Sequence, residues 1–300
     1  MRTVIFLLSA YLIFPCLTSA GEITLEIRPQ GEVSDEKQAE VLKTLTEAYA
    51  MSKPDFKGSI DIRVQIYLRA SSRVAVNTVD HMILGYDFEG VGEAGSSEVC
   101  AKCAPVWMHE FGHQIFDFEL AAVNRPWGDF YTEAYGYLKG GWRDKYRDLV
   151  DSVQVKILKH ITRPYSELFA DVFALVYFDK ADAMASVLGL ERGYGGIVDP
   201  KSVASMVDRI YYSHEMLFPA GTVIWQLYLE ARQSRMPKSE FLKRCFDAMA
   251  TQIQKIQESG VYPTDTVGEN KALIAELKSQ FEKKEPAPIT ATATATAAPK

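Results

Sequence analysis

Positive charge is what this sequence has too little of. Its 33 Lys and Arg stand against 39 Asp and Glu, a formal net charge of −6, and the basic residues are scattered among acids. No run of them can neutralise successive phosphates, which excludes a nucleic-acid binder. Long apolar stretches are also missing beyond the first twenty residues, so no stable membrane span is expected in the mature chain. Cysteine is scarce, with four in all, and no second ligand pair stands near Cys100-Ala101-Lys102-Cys103 to complete a zinc knuckle. That C-x-x-C reads as a local disulfide, or as one partner of a bridge to Cys245. No internal repeat is present.

What the chain does have begins with a leader. Met1-Arg2 is followed by an almost unbroken apolar run from Val4 to Leu17 and by the small residues Thr18-Ser19-Ala20. This is the layout of a signal peptide over 1–20, and it implies a secreted or periplasmic protein. At the other end, 285–300 is rich in Pro, Ala and Thr and cannot bury a core, so it is expected to be a disordered tail. Between them, 21–284 is expected to form one catalytic domain, and 47% hydrophobic residues across the chain supply ample core.

Within that domain the apolar periodicity changes once. Ile23–Ile27 and Ile60–Leu68 alternate like strands, Val74–Tyr86 adds one or two more, and Ser34–Met51 carries a helical apolar face. From Val106 onward the pattern is helical, over 105–119, 128–138, 143–160, 165–178, 200–211, 219–233, 238–257 and 268–283. The expected class is therefore α+β: a mixed sheet in an N-terminal lobe, a mainly helical C-terminal lobe, and a cleft between them.

The chemistry concentrates in His109-Glu110-Phe111-Gly112-His113, an H-E-x-x-H pattern in a chain with only five histidines. On a helix, positions i and i+4 share a face, so both imidazoles can reach one metal ion while Glu110 stays beside it as a general base. Zinc (Zn2+, one per chain) is the expected cofactor. The segment around the motif is apolar (Val106, Trp107, Ile115, Phe116), which makes two unpartnered histidines there costly.

A third ligand is required. Phe116 and Glu119 stand where a metzincin would place Gly and His, which removes that class. Glu133 follows His113 by twenty positions, the spacing of thermolysin-like enzymes, and is the alternative metal ligand. Glu167 opens Glu167-Leu168-Phe169-Ala170-Asp171 on an otherwise apolar helix. There the i, i+4 relation gives one carboxylate to ligate and a second, Asp171, to hold the far nitrogen of a histidine ligand. Glu167 is the favoured reading.

H-E-F-G-H followed by E-L-F-A-D resembles the gluzincin group of zinc metallopeptidases, over about 105–118 and 163–178. Phe169 and Phe173 add a weaker similarity to the anthrax lethal factor-like group, although His160 stands where that group carries a tyrosine. The resemblance implies a zincin-like two-lobed fold with the H-E-x-x-H helix in the N-terminal lobe, and a peptide or protein substrate laid against an edge strand within His81–Phe88. It also implies a late oxyanion donor, for which His214 is the candidate and Tyr211 and Tyr212 are the substitutes. The expected function is an exported zinc metallopeptidase. A zinc amidohydrolase acting on a cell-wall amide, or a zincin-fold binding protein without turnover, are the alternatives; nothing in the sequence fixes an oligomeric state.

Overall fold

Two long apolar helices, each carrying a few buried polar residues, form the spine of the molecule. The computed structural model describes residues 23–25, 35–56, 62–68, 74–77, 82–87, 98–184, 216–260 and 266–282. In chain order these form β1 (Ile23–Leu25), α1 (Asp35–Ser52), β2 (Ile62–Leu68), β3 (Val74–Asn77), β4 (Met82–Asp87), α2 (Glu98–Val123), α3 (Arg125–Lys139) and α4 (Arg143–Asp151). The series continues with α5 (Val153–Phe178), α6 (Phe218–Gln233), α7 (Lys238–Ser259) and α8 (Thr266–Glu282). The leader at 1–20, the helical pattern at 200–211 and the tail at 285–300 lie outside the described residues.

The expected α+β class, with a sheet lobe and a separate helical lobe, is corrected by this architecture. Helices dominate the described residues, and their buried side chains join in a single hydrophobic cluster from Val41 in α1 to Leu277 in α8. The helix that carries H-E-x-x-H is part of that helical body. Its main neighbour is α5, the helix that carries Glu167, so no cleft between lobes separates the two. The reason is that alternation over four to seven residues reports a local extended backbone and says nothing of which elements supply the core. The extended segments are short and pair in the order β1-β2-β4-β3, parallel except for β3 against β4. β4, the strand expected to lie at an edge, is paired on both sides; the edge beside α2 is β3.

Helix ends follow local chemistry. The sequence pattern placed a break near Pro164, yet α5 runs through that residue and the break falls at Ser152 instead. The Ser152 side chain accepts from the Val155 N–H and caps the helix, satisfying one of its orphan donors. Pro164 lacks an N–H and leaves the His160 carbonyl without its usual partner, a loss the buried packing of α5 outweighs. Asn124 caps α3 in the same way, accepting from the Trp127 N–H at 3.1 Å.

Packing fixes the spine. Phe116 of α2, Phe169 of α5 and Phe246 of α7 meet with ring centroids 5.4–6.2 Å apart, and Phe56 closes the group from the turn after α1. One turn before Phe169 on α5, the buried Tyr165 hydroxyl donates to Glu269 of α8. Burial pushes the Glu269 carboxyl above the usual carboxylate range, and the bond to Tyr165 offsets part of that. Tyr165→Phe is expected to lower stability by about 1–3 kcal/mol, because it leaves a buried carboxyl short of a donor. An unchanged urea midpoint would remove that bond from the account of how α8 is held.

Candidate metal centre

Three ligand atoms converge between α2 and α5. The Nε2 atoms of His109 and His113 are 3.1 Å apart, and Glu167 Oε2 lies 3.4 Å from the first and 3.3 Å from the second. Tetrahedral coordination at ~2.0–2.1 Å requires ligand–ligand edges of roughly 3.3–3.4 Å, so the triangle has the dimensions of one face of such a site. All three residues are buried, at 5% exposure for His109, 8% for His113 and 5% for Glu167. This His109, His113, Glu167 group can hold a metal ion.

Local helical geometry supplies one part of the triangle and close helix packing supplies the other. The i, i+4 relation stacks the two imidazoles edge to face, with ring centroids 4.7 Å apart. Glu167 reaches them because Gly112, between the two histidines, lets the α5 backbone approach. A Cβ built on Gly112 would stand 2.8 Å from the Ala170 Cα and 2.9 Å from the Phe173 Cβ. Gly112→Ala is therefore expected to push α2 and α5 apart, lower stability by about 1–3 kcal/mol and weaken metal uptake. A variant that melts and binds metal like the wild type would show that the helices yield without disturbing the site.

The outer nitrogens of the imidazoles are held as well. His109 Nδ1 lies 2.8 Å from Asp171 Oδ1, one turn beyond Glu167 on α5, the position from which the sequence pattern places a supporting carboxylate. His113 Nδ1 lies 2.8 Å from Ser166 Oγ. With both Nδ1 atoms turned to these outer partners, both Nε2 atoms point into the triangle. Glu167 uses its other oxygen, Oε1, at 3.5 Å from Nε of the exposed Arg163, one turn earlier on α5.

The electrostatics suit a cation. Burial lowers the His109 pKa, but hydrogen bonds to Asp171 and Glu167 and the charges of Asp171 and Glu110 outweigh it and hold the ring at about 10. In the metal-free protein a positive charge thus belongs in this cluster at neutral pH, and a metal ion would replace that proton. Glu110 is nearly buried on α2 beside His109 and is not one of the three converging ligands.

The other sequence candidates fall elsewhere. Glu133 is exposed on α3 and accepts a hydrogen bond of 2.7 Å from the Tyr137 hydroxyl; it is not part of the converging group. His160 is exposed on α5. His214, Tyr211, Tyr212 and His81 lie outside the described residues, as do the side chains of Cys100 and Cys103. Cys245 is a free, buried thiol in α7, so the bridge to it is not formed; burial pushes its pKa up. Ser166 and Asp117 are the polar neighbours that the sequence pattern did not single out. Neither belongs to a recognisable motif, and only the crossing of α2 and α5 brings them to His113.

No protein-family model matches this chain, and no curated protein or solved structure matches it either, so the functional reading rests on the geometry of this site.

Proposed function

We propose that the chain is an exported zinc metallopeptidase. The observation that carries this reading is the buried triangle of His109, His113 and Glu167, with the Glu110 carboxylate one residue from the first ligand. Two imidazole nitrogens and one carboxylate oxygen at tetrahedral edge lengths, with no thiolate among them, match the donor set of a catalytic zinc site. Bound there, zinc would supply Lewis-acid activation of a water molecule and of a carbonyl oxygen.

The residues of the chain have separable tasks. His109, His113 and Glu167 would hold the ion, and Asp171 would keep His109 in the tautomer that offers Nε2. Glu110 would take the proton from the attacking water and pass it to the leaving amine, the work of a general base and then a general acid. Hydrophobic walls from α2 and α5 would keep bulk water away from these charges, which strengthens each of them. An extended peptide would add to β3, the edge strand beside α2, through main-chain hydrogen bonds. Export rests on the apolar leader from Val4 to Leu17. Among the described residues no helix is long and apolar enough to cross a membrane.

The test is hydrolysis of a quenched-fluorescent peptide library by the full chain loaded with zinc. Cleavage that stops with a chelator and returns with added zinc supports the proposal. A folded, zinc-loaded protein that leaves every peptide intact sinks the peptidase reading.

A further inference from the structure

Each of the two central helices carries a carboxylate one turn beyond a member of the triangle: Asp171 after Glu167 on α5, and Asp117 after His113 on α2. Both are buried. Asp171 meets His109 directly. Asp117 reaches His113 by another route, because Ser166 Oγ stands 2.8 Å from His113 Nδ1 and 3.4 Å from Asp117 Oδ1. The serine comes from α5, while the histidine and the aspartate are on α2, so this chain of contacts crosses the helix pair that Gly112 brings together.

The direction of the hydrogen bonds follows from donor counting. An ionised carboxylate only accepts, and a hydroxyl has one hydrogen and two lone pairs. If Ser166 donates to Asp117, its lone pairs are left to accept from His113 Nδ1–H, and the Nε2 lone pair then faces His109 and Glu167. Asp117 is itself held in place, since its main-chain carbonyl accepts from the Trp127 indole N–H at 3.0 Å. Its charge is felt by Lys159 and by the buried Tyr131.

We propose that Ser166 and Asp117 are positioning residues for His113: a carboxylate acting through a bridging hydroxyl that fixes the tautomer and orientation of the ring as a ligand. The proposal deepens the metal-site reading and rests on it. The two histidines are supported unequally, one by a direct carboxylate and one by a relayed one. A relayed support can be removed by deleting a single oxygen, with no buried charge left behind on the histidine side.

The experiment uses the full chain, wild type, Ser166→Ala and Ser166→Thr, with Asp117→Asn as the second site. Long-range 1H–15N spectra of the metal-free protein report which ring nitrogen carries the proton, and with five histidines in the chain the assignment is tractable. Zinc affinity is read by competition with a chromogenic chelator, and folding by thermal melting. Ser166→Ala is expected to melt below the wild type by the cost of one buried hydrogen bond, to lose the Nδ1–H preference of His113, and to bind zinc about 10–100-fold more weakly. Ser166→Thr should restore both, and Asp117→Asn should weaken zinc by roughly tenfold, which also covers the case in which Ser166→Ala does not fold. Wild-type affinity and an unchanged His113 tautomer in the folded variants would overturn the proposal, as would a lower melting temperature with no change in either. If the wild type takes up no zinc, the metal reading fails by itself, and the tautomer comparison then decides whether Ser166 positions His113.

Discussion

Glu110→Gln is expected to abolish most of the hydrolysis while leaving the metal in place. The substitution keeps the shape of the side chain and removes its ability to take a proton, so the loss should fall in the range of about 10²–10⁴-fold typical of a missing general base. Zinc content should stay near one per chain, because Glu110 is not among the three converging ligands. Stability should not suffer either. The site already gathers Glu167 and Asp171 as buried acids, and removing a third negative charge from that cluster relieves repulsion when no metal is bound. The measurement is kcat/KM on the best library peptide beside zinc per chain, for both proteins at one pH. Equal rates would take Glu110 out of the chemistry. Loss of zinc together with activity would instead make Glu110 a ligand or a determinant of the fold.

The residues of this site were unevenly legible in the sequence, for a physical reason. His109 and His113 could be paired from the sequence because one helical turn relates them, and a helix converts that spacing into a common face wherever it lies. Glu167 and Asp171 could be paired by the same rule, on a helix otherwise so apolar that its acids needed internal partners. Joining the two pairs rested on the need for a third ligand and on the apolar setting of Glu167, because no local rule brings residue 113 to residue 167; the contact depends on Gly112, whose missing side chain admits the α5 backbone. Ser166 and Asp117 could not be found at all. Serine beside a ligand and aspartate one turn on are ordinary at the sequence level, and only the crossing of two helices gives them a common target.

The fold class failed for a related reason. Alternation identifies the extended segment from Ile62 to Leu68, but whether a sheet or a set of helices builds the core is decided by what packs on what. Here the buried phenylalanines of α2, α5 and α7 pack on one another, and the body around the site is helical. Strand order is equally non-local. That β4 is interior and β3 lies at the edge follows from the pairing of β4 with both β2 and β3, which periodicity does not encode.

Glu167→Ala is expected to remove the metal, and Glu133→Ala is expected to leave it. The two glutamates compete for the same role on sequence spacing alone, and their surroundings separate them. Glu167 is buried with Oε2 within 3.4 Å of both imidazole Nε2 atoms, whereas Glu133 is exposed and bonded to Tyr137. A full set of protein ligands to structural zinc is worth about 10–16 kcal/mol, so one ligand carries roughly 3–4 kcal/mol and its loss should weaken binding by on the order of 10²–10³-fold. Zinc measured after gel filtration should then fall from about one per chain to near zero in Glu167→Ala. Glu133→Ala gives up only a surface hydrogen bond, a change within about 0.5 kcal/mol, and should keep both zinc and melting temperature. The proton balance gives a second readout of the same site. Because His109 is held at about 10 without metal, zinc uptake near neutral pH should release about one proton from that ring, visible as a buffer-dependent heat in titration calorimetry. Glu167→Ala removes one of the groups that raise His109, so both the metal and the linked proton should disappear together. Zinc retained in Glu167→Ala but lost in Glu133→Ala would move the centre to α3 and overturn the triangle as its ligand set.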